Sequence, residues 1–405
     1  MKMISPVTSR PFLIDLAKAT LDALQDEMGA LETVDGVHPD AVKNSLEAAL
    51  DWARLEGSGL TQESLEGVAT AEPYLPYNQT LSLLQSAYDE YVESTGILET
   101  PFDENDPGWK AIAKEKLKAA SQPKHPFIAH KVLDDFRYEL PDDAIVALFS
   151  DWGTGEPTAQ RVMKQVAAVQ PTHAIHLGDV YYSGTPKESR KHFLDVIEQF
   201  GPSKDTCQYF ALPGNHDYYS GGYGYFDGII SALGQEASYF NLRNSKWQII
   251  GLDTGYKEYA LYKPQKEWLN AQVDAPVRRS ILLSHHQLFS AYDHRVTKSR
   301  LLKATEALLP QIYAWFWGHE HRCVIMGDHM GIKARGIGHG SIPSSVPYGP
   351  PTFPEVPVVK VDERVAPDAD GTCYHGFALL RFSGDVVNVS YIDEYGGVFY
   401  EERFE

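Results

Sequence analysis

The sequence predicts an α/β fold in which apolar strands form sheets covered by helices, preceded by a helical region. Three observations carry that expectation. Up to about residue 135 apolar residues recur at three-to-four spacing, and from about residue 140 this period gives way to short, β-rich apolar runs. The first two runs flank an amphipathic stretch, PTAQRVMKQVAAVQP, as a strand-helix-strand unit requires. The tail YHGFALLRFSGDVVNVSYIDEYGGVFYEERF alternates and is broken by SGD and YGG turns, which suits antiparallel strands. The 405 residues therefore divide into a helical accessory region, 1–135, and a larger sheet-containing domain, 140–405.

In chain order, Phe12, Leu13, Leu16, Ala17, Leu21 and Leu24 share one helical face, as do Leu46, Ala49, Leu50 and Leu55 after Pro39. TLSLLQSAYDEYVEST and GWKAIAKEKLKAAS continue the pattern, with Gly- and Pro-containing joints such as LEGSGLTQ and LETPFDENDPG between helices. No chemistry-bearing residues cluster here, so the region is expected to pack against the rest or to dock an unknown partner. The β-rich runs follow: DAIVALFSD, THAIHLGD, TCQYFALPGNHD, KWQIIGLD, RSILLSHH and YAWFWGHEH. Runs that are apolar throughout are buried on both faces, which is why helices must cover the sheets. GSIPSSVPYGPPTFPEVP reads as a Pro-rich surface loop.

Bulk charge narrows the function. Lys plus Arg number 36 against 55 Asp plus Glu, a net charge of −19, and so acidic a chain is unsuited to duplex nucleic acid, whose binding is driven by phosphate neutralisation. Phosphate chemistry would need a local positive centre. Cys207, Cys323 and Cys373 are widely separated and form no CxxC, so buried free thiols are expected rather than disulfides or thiolate zinc. The N-terminus lacks a long apolar core with a small-residue cleavage site, and no segment approaches about 18 consecutive apolar residues. A soluble, cytoplasmic protein without a membrane span is expected.

Nearly every apolar run stops at a group that can bind metal or take part in catalysis. The first ends at Asp151, the second at Asp179, the third at Asn215, His216 and Asp217, the fifth at His285 and His286, and the sixth at His319 and His321. In open α/β sheets the crevice at the carboxyl ends of strands gathers functional groups, so these short motifs can converge on one site. Carboxylate, amide oxygen, imidazole and phenolate without thiolate suit iron, manganese or zinc, and the donors suffice for two ions bridged by a carboxylate. Glycines precede Asp179, Asn215 and His319, where the backbone is expected to turn sharply. Taken singly each motif has a plainer explanation, SDWGTGEP as a helix N-cap or GNHD as a turn. Five in one register at strand ends point to a site.

These motifs resemble those of the calcineurin-like metallophosphoesterase superfamily. The chain supplies Asp151-Trp152-Gly153, Gly178-Asp179-Val180-Tyr181-Tyr182, Gly214-Asn215-His216-Asp217, His285 and Gly318-His319-Glu320-His321 in family order, over roughly residues 143–400. The resemblance implies a two-sheet β-sandwich flanked by helices. Many members carry a metal-binding histidine two residues after the first aspartate, where this chain has Gly153. The purple acid phosphatase branch lacks it and has a tyrosine three residues after the bridging aspartate, a position held here by Tyr182. By this resemblance one metal is held by Asp151, Asp179, Tyr182 and His321, the other by Asp179, Asn215, His285 and His319. A phenolate favours ferric iron, so Fe(III) is implied at the Tyr182 side and Fe(II), Zn or Mn at the other. Tyr181, on the opposite side of an extended chain, is expected to pack.

The implied reaction is hydrolysis of a small-molecule phosphate ester by hydroxide from a metal-bound water. His216 is the implied general acid or phosphate-orienting group, with Asp217 holding and charging its imidazole. A phosphodiester is the alternative substrate to a monoester, and a non-catalytic scaffold is the least expected outcome because the ligand set is complete. His286 is a weaker pocket candidate, and His339 stays outside the catalytic set. Tyr218, Tyr219, Tyr223 and Tyr225 follow GNHD and form a candidate loop for stacking on a substrate ring.

Overall fold

The computed structural model describes residues 10–28, 39–57, 75–95, 107–119, 122–273, 277–293, 300–344, 350–367 and 372–405. Most of the two predicted joints in the helical region, and residues 345–349 of the Pro-rich loop, lie outside them. The strands in chain order are β1 (Arg137–Glu139), β2 (Ile145–Phe149), β3 (His173–His176), β4 (Gln208–Ala211), β5 (Phe240–Arg243), β6 (Trp247–Leu252), β7 (Arg279–Ser284), β8 (Ile312–Trp317), β9 (Cys323–Met326), β10 (Lys333–Ile337), β11 (Val358–Val361), β12 (Gly376–Ser383), β13 (Val386–Asp393) and β14 (Val398–Phe404).

They form a six-stranded sheet, β14-β13-β12-β2-β3-β4, and an eight-stranded sheet, β1-β5-β6-β7-β8-β10-β9-β11. Within the first, β2, β3 and β4 are parallel, as are β6, β7 and β8 within the second. The tail strands β12, β13 and β14 are antiparallel, as their tight turns require.

Alternation along each strand accounts for the layers, because successive side chains leave opposite faces of a sheet. Val146 and Leu148 of β2, Ile175 of β3 and Phe210 of β4 meet Ile249, Ile281, Leu283 and Phe316 of the other sheet in a shared core. The intervening Ala147 and Phe149 face outward onto Val162, Met163 and Val166 of the helix Pro157–Ala168. Beyond the larger sheet, Ile250, Leu282 and Trp315 pack on Trp268 and Leu269 of the helix Lys263–Gln272. Two sheets face each other between helical layers, and the parallel strands of both point their carboxyl ends at one rim. Cys207, Cys323 and Cys373 are buried and form no disulfide with one another. Among the described residues no helix is long and apolar enough to cross a membrane.

The N-terminal helices Arg10–Met28, Pro39–Gly57, Gln79–Thr95 and Pro107–Ala119 enclose a core of their own, with Leu13, Leu16, Leu46, Leu84, Trp109 and Leu117 buried. The third of these is more than amphipathic. Leu81 through Ala87 are all buried, and two of the polar residues among them, Ser82 and Ser86, reach the sandwich. Ser82 Oγ donates to the Tyr182 carbonyl at 2.6 Å and Ser86 Oγ to Glu188 at 2.7 Å, while Gln79 Nε2 donates to the Tyr219 carbonyl at 2.7 Å. The helix is fastened to the loops that follow β3 and β4.

Burial also sets an acid limit on the fold. Desolvation pushes His173, at the start of β3, down to about 4. The unfolded chain therefore binds a proton that the folded chain refuses between about pH 6.5 and pH 4, and stability present above that window falls as the pH drops through it. The effect is on the order of 3 kcal/mol at most. Replacing His173 by Gln should reduce the fall in melting temperature between pH 7 and pH 4.5, and an unchanged fall would contradict this assignment.

Candidate metal centre

The strand ends carry the site. Asp151 follows β2, Asp179 follows β3, Asn215 and His216 follow β4, His285 follows β7, and His319 and His321 follow β8. Asp151 (φ 54°), Asp179 (φ 74°) and His319 (φ 66°) hold a left-handed backbone that costs a residue with a Cβ roughly 1–2 kcal/mol. The expected sharp turns thus fall on the functional residues themselves. The preceding glycines act mainly by what they lack: a Cβ on Gly178 would lie 2.6 Å from the Gly214 nitrogen and 2.7 Å from His285 Nδ1. Strain at three such positions, all buried and all polar, marks a place selected for chemistry.

Two donor groups meet at Asp179. On one side, His285 Nε2 lies 3.3 Å from Asp179 Oδ2, 3.2 Å from Asn215 Oδ1 and 3.1 Å from His319 Nδ1. On the other, the Tyr181 hydroxyl lies 3.2 Å from Asp179 Oδ2, 3.0 Å from Asp151 Oδ1 and 3.2 Å from His321 Nε2. His321 Nε2 is in turn 3.5 Å from Asp151 Oδ1.

Outer partners orient these donors. His285 Nδ1 lies 3.1 Å from the Leu177 carbonyl, which can only accept, so Nδ1 is committed as a donor and Nε2 is the atom turned toward the cluster. The Tyr259 hydroxyl sits 2.7 Å from His319 Nε2 and leaves Nδ1 facing inward. Asn215 Nδ2 donates to the Tyr219 hydroxyl at 2.9 Å, which fixes the amide oxygen on the inner side.

The residues fit a pair of cations. Burial is the largest single influence and would raise the Asp151 and Asp179 carboxyls, but the neighbouring histidines together outweigh it: His285 with His321 holds Asp151 below the usual carboxylate range, and His285 with His216 holds Asp179 well below it. His285 is conversely pushed up to about 9, burial opposing and the two carboxylates prevailing. The field between them favours positive charge. His319, farther from the carboxylates, is driven well below its ordinary value by burial and by His286 and His285. A buried imidazole kept neutral, as at His319, beside ionised carboxylates is ligand chemistry for a hard or borderline metal.

Several sequence expectations need correction. Tyr181, rather than Tyr182, brings its hydroxyl to the cluster. The expectation rests on an extended chain, whereas residues 181–183 form a turn, so strand alternation does not decide which phenol points inward. The Tyr182 phenol instead lies in the field of Asp89, Glu156 and Glu188, and burial with those carboxylates raises its pKa. Asp217 does not hold the His216 imidazole: its Oδ2 accepts from the backbone nitrogens of Asp179 (2.9 Å) and Gly214 (2.7 Å). Burial and the nearby Asp179 push it up to about 8. The partner of His216 is the Tyr182 carbonyl, 2.5 Å from Nδ1, the same oxygen that takes the Ser82 hydroxyl.

His286 packs behind the cluster with Nδ1 3.0 Å from the Thr254 hydroxyl, and its nitrogen, with those of His285 and His319, lies in a set within 4.8 Å of one another. His339 is buried beside Gly376, outside the donor set. Of the four loop tyrosines only Tyr219 reaches the cluster. Tyr218 donates to Asp253, Tyr225 to the Ala211 carbonyl and Tyr223 to the Pro123 carbonyl. Tyr259 and Tyr77, whose ring centroid lies 5.5 Å from that of His319, were not signalled by any motif. Each stands in a loop with no spacing to distinguish it from surface aromatics.

Residues 144–323 match the family model of the calcineurin-like phosphoesterases. This segment, 180 of the 405 residues, is similar to the calcineurin-like phosphoesterases. No curated protein matches the chain. Among solved structures it is similar to GAP50, the anchor in the inner membrane complex of Plasmodium, at 14% identity and TM-score 0.47 over 65% of this chain and 89% of that one. It is also similar to a dimetal phosphatase from Danio rerio, at 13% identity and TM-score 0.42 over 64% of this chain and 98% of that one. A Streptococcus pneumoniae protein described as a predicted phosphoesterase is 13% identical, with TM-score 0.32 over 65% of this chain and 97% of that one. All of the strand-end donors, Asp151 through His321, lie within the matched segment.

Tyr181 and Tyr182 separate cleanly by substitution. Tyr181→Phe should weaken metal retention about tenfold or more and remove any visible phenolate-to-iron band, whereas Tyr182→Phe should leave both unchanged. Elemental analysis after dialysis, with a visible spectrum, checks this, and the opposite pattern would restore Tyr182 to the ligand position.

Proposed function

We propose that this chain is a dinuclear metal-dependent hydrolase of small phosphate esters. Asp151, Tyr181 and His321 would hold one ion and Asn215, His285 and His319 the other, with Asp179 shared. The observation that supports this best is the position of Asp179 Oδ2, 3.3 Å from His285 Nε2 and 3.2 Å from the Tyr181 hydroxyl, between the two donor groups. Fe(III) is proposed on the Tyr181 side, where a ferric ion would ionise the phenol that burial, Asp151 and Asp179 otherwise keep protonated, and Fe(II), Zn or Mn on the other. Such ions supply a nucleophilic hydroxide near neutral pH and offset the charge on the phosphoryl group. A chain of net charge −19 gains its anion-binding site in this way.

His216 completes the arrangement. Its backbone nitrogen donates to Asp179 Oδ1 at 3.0 Å, which pins it to the bridging carboxylate. Its Nδ1–H is committed to the Tyr182 carbonyl, so Nε2 is the atom that holds or delivers a proton to the departing alcohol. Tyr181 and Tyr219 pack against the imidazole with centroids 4.6 and 4.7 Å away, restricting its rotation.

The test is a panel of monoesters, cyclic nucleotides and acyclic diesters with the metal-loaded protein. Hydrolysis abolished by a chelator and restored by added metal is expected, and no turnover of any ester would overturn the proposal. His216→Ala should lower kcat about 100-fold for an alkyl phosphate and much less for 4-nitrophenyl phosphate, whose leaving group needs no proton. Equal losses would remove His216 from proton transfer.

A further inference from the structure

Three tyrosines surround the donor cluster at its partly exposed edge. Tyr259 contacts His319 through its hydroxyl and His286 through its ring, with centroids 4.3 Å apart. Tyr219 packs on His216 and accepts from Asn215. Both are half-buried. Tyr77 is the third: its ring lies at 57° to His319, yet it is 37% exposed while His319 is 6% exposed. It therefore stands between a candidate metal ligand and solvent.

Tyr77 is held there by the helix that follows it. Asn78 caps that helix, its Oδ1 accepting from the Leu81 nitrogen at 3.1 Å. Gln79 Nε2 then donates to the carbonyl of Tyr219 at 2.7 Å, tying the start of the helix to a second tyrosine of the rim. Ser82 and Ser86 fasten the next turns to Tyr182 and Glu188. An aromatic ring kept partly exposed on an anchored cap is preorganised, so it loses little entropy when a ligand packs on it.

We propose that Tyr77, with Tyr219 and Tyr259, forms an aromatic wall at the mouth of the centre that selects phosphate esters whose alcohol carries a flat aromatic ring. The N-terminal helical region then supplies part of the substrate site. The proposal rests on the phosphoesterase reading. A ring beside the phosphate would stack on or meet edge-to-face the tyrosines, an interaction worth about five- to tenfold in affinity.

The experiment measures binding of phenylphosphonate and methylphosphonate to the metal-loaded full chain by calorimetry, without turnover. Wild type should bind phenylphosphonate about five- to tenfold more tightly. Tyr77→Ala should bring the two within about twofold by weakening the phenyl ligand alone, and Tyr77→Phe should keep the preference. Methylphosphonate affinity is the internal check that the variants are folded and loaded. Equal affinities in wild type, or a preference that survives Tyr77→Ala, would overturn the aromatic wall while leaving the hydrolase intact. A loss in Tyr77→Phe as large as in Tyr77→Ala would show that the hydroxyl, and not the ring, is used. If neither phosphonate binds wild type, the phosphoesterase reading fails and this one with it.

Discussion

Asp151 and Asp179, two buried carboxylates that share one tyrosine hydroxyl, impose the constraint on which the rest of the site depends. Like charges so placed in a low-dielectric interior must be offset, and the surrounding groups are arranged to do so. Each carboxylate uses one oxygen as a brace and turns the other inward. Asp151 Oδ2 accepts the His319 backbone nitrogen at 2.8 Å, and Asp179 Oδ1 accepts that of His216 at 3.0 Å. The end of β2 thereby fixes the end of β8, and the end of β3 fixes the end of β4. Asp217 closes the frame by holding the backbones of Asp179 and Gly214.

This bracing explains why left-handed backbone is tolerated at three functional positions. Strain persists where surrounding structure over-determines it, and here the over-determination comes from both sheets. The shared apolar core between the sheets keeps their strand ends in register, so a site drawn from five strands behaves as a single rigid unit. The N-terminal helices extend the frame: through Ser82 they grip the carbonyl that also orients His216. Their attachment makes them part of the wall of the cleft, with Tyr77 at its mouth.

What was legible in the sequence follows from period and position. Runs apolar throughout implied strands buried on both faces, and in the structure Val146 and Leu148 enter one core and Ala147 and Phe149 another, because a strand's period is fixed. Polar residues ending those runs identified the donors, since only the strand ends open into the crevice. The choice between Tyr181 and Tyr182 was beyond such reasoning. It depends on the turn the chain makes over residues 181–183, which sequence spacing does not encode. Asp217 was assigned to its neighbour's side chain, whereas the turn gave it two backbone donors instead. Tyr77 and Tyr259 join the site through tertiary packing, and the helical face of Gln79–Thr95 concealed its second set of contacts behind small polar residues, Ser82 and Ser86.

The central claim is that Asp179 serves both donor groups at once. Elemental analysis of wild type and of Asp179→Asn, each loaded with metal and dialysed, tests it most directly. The account predicts two ions per chain in wild type and the loss of both from the variant, with the fold retained by circular dichroism. A wild type that binds one ion, or a variant that keeps one of its two sites at full affinity, would contradict it.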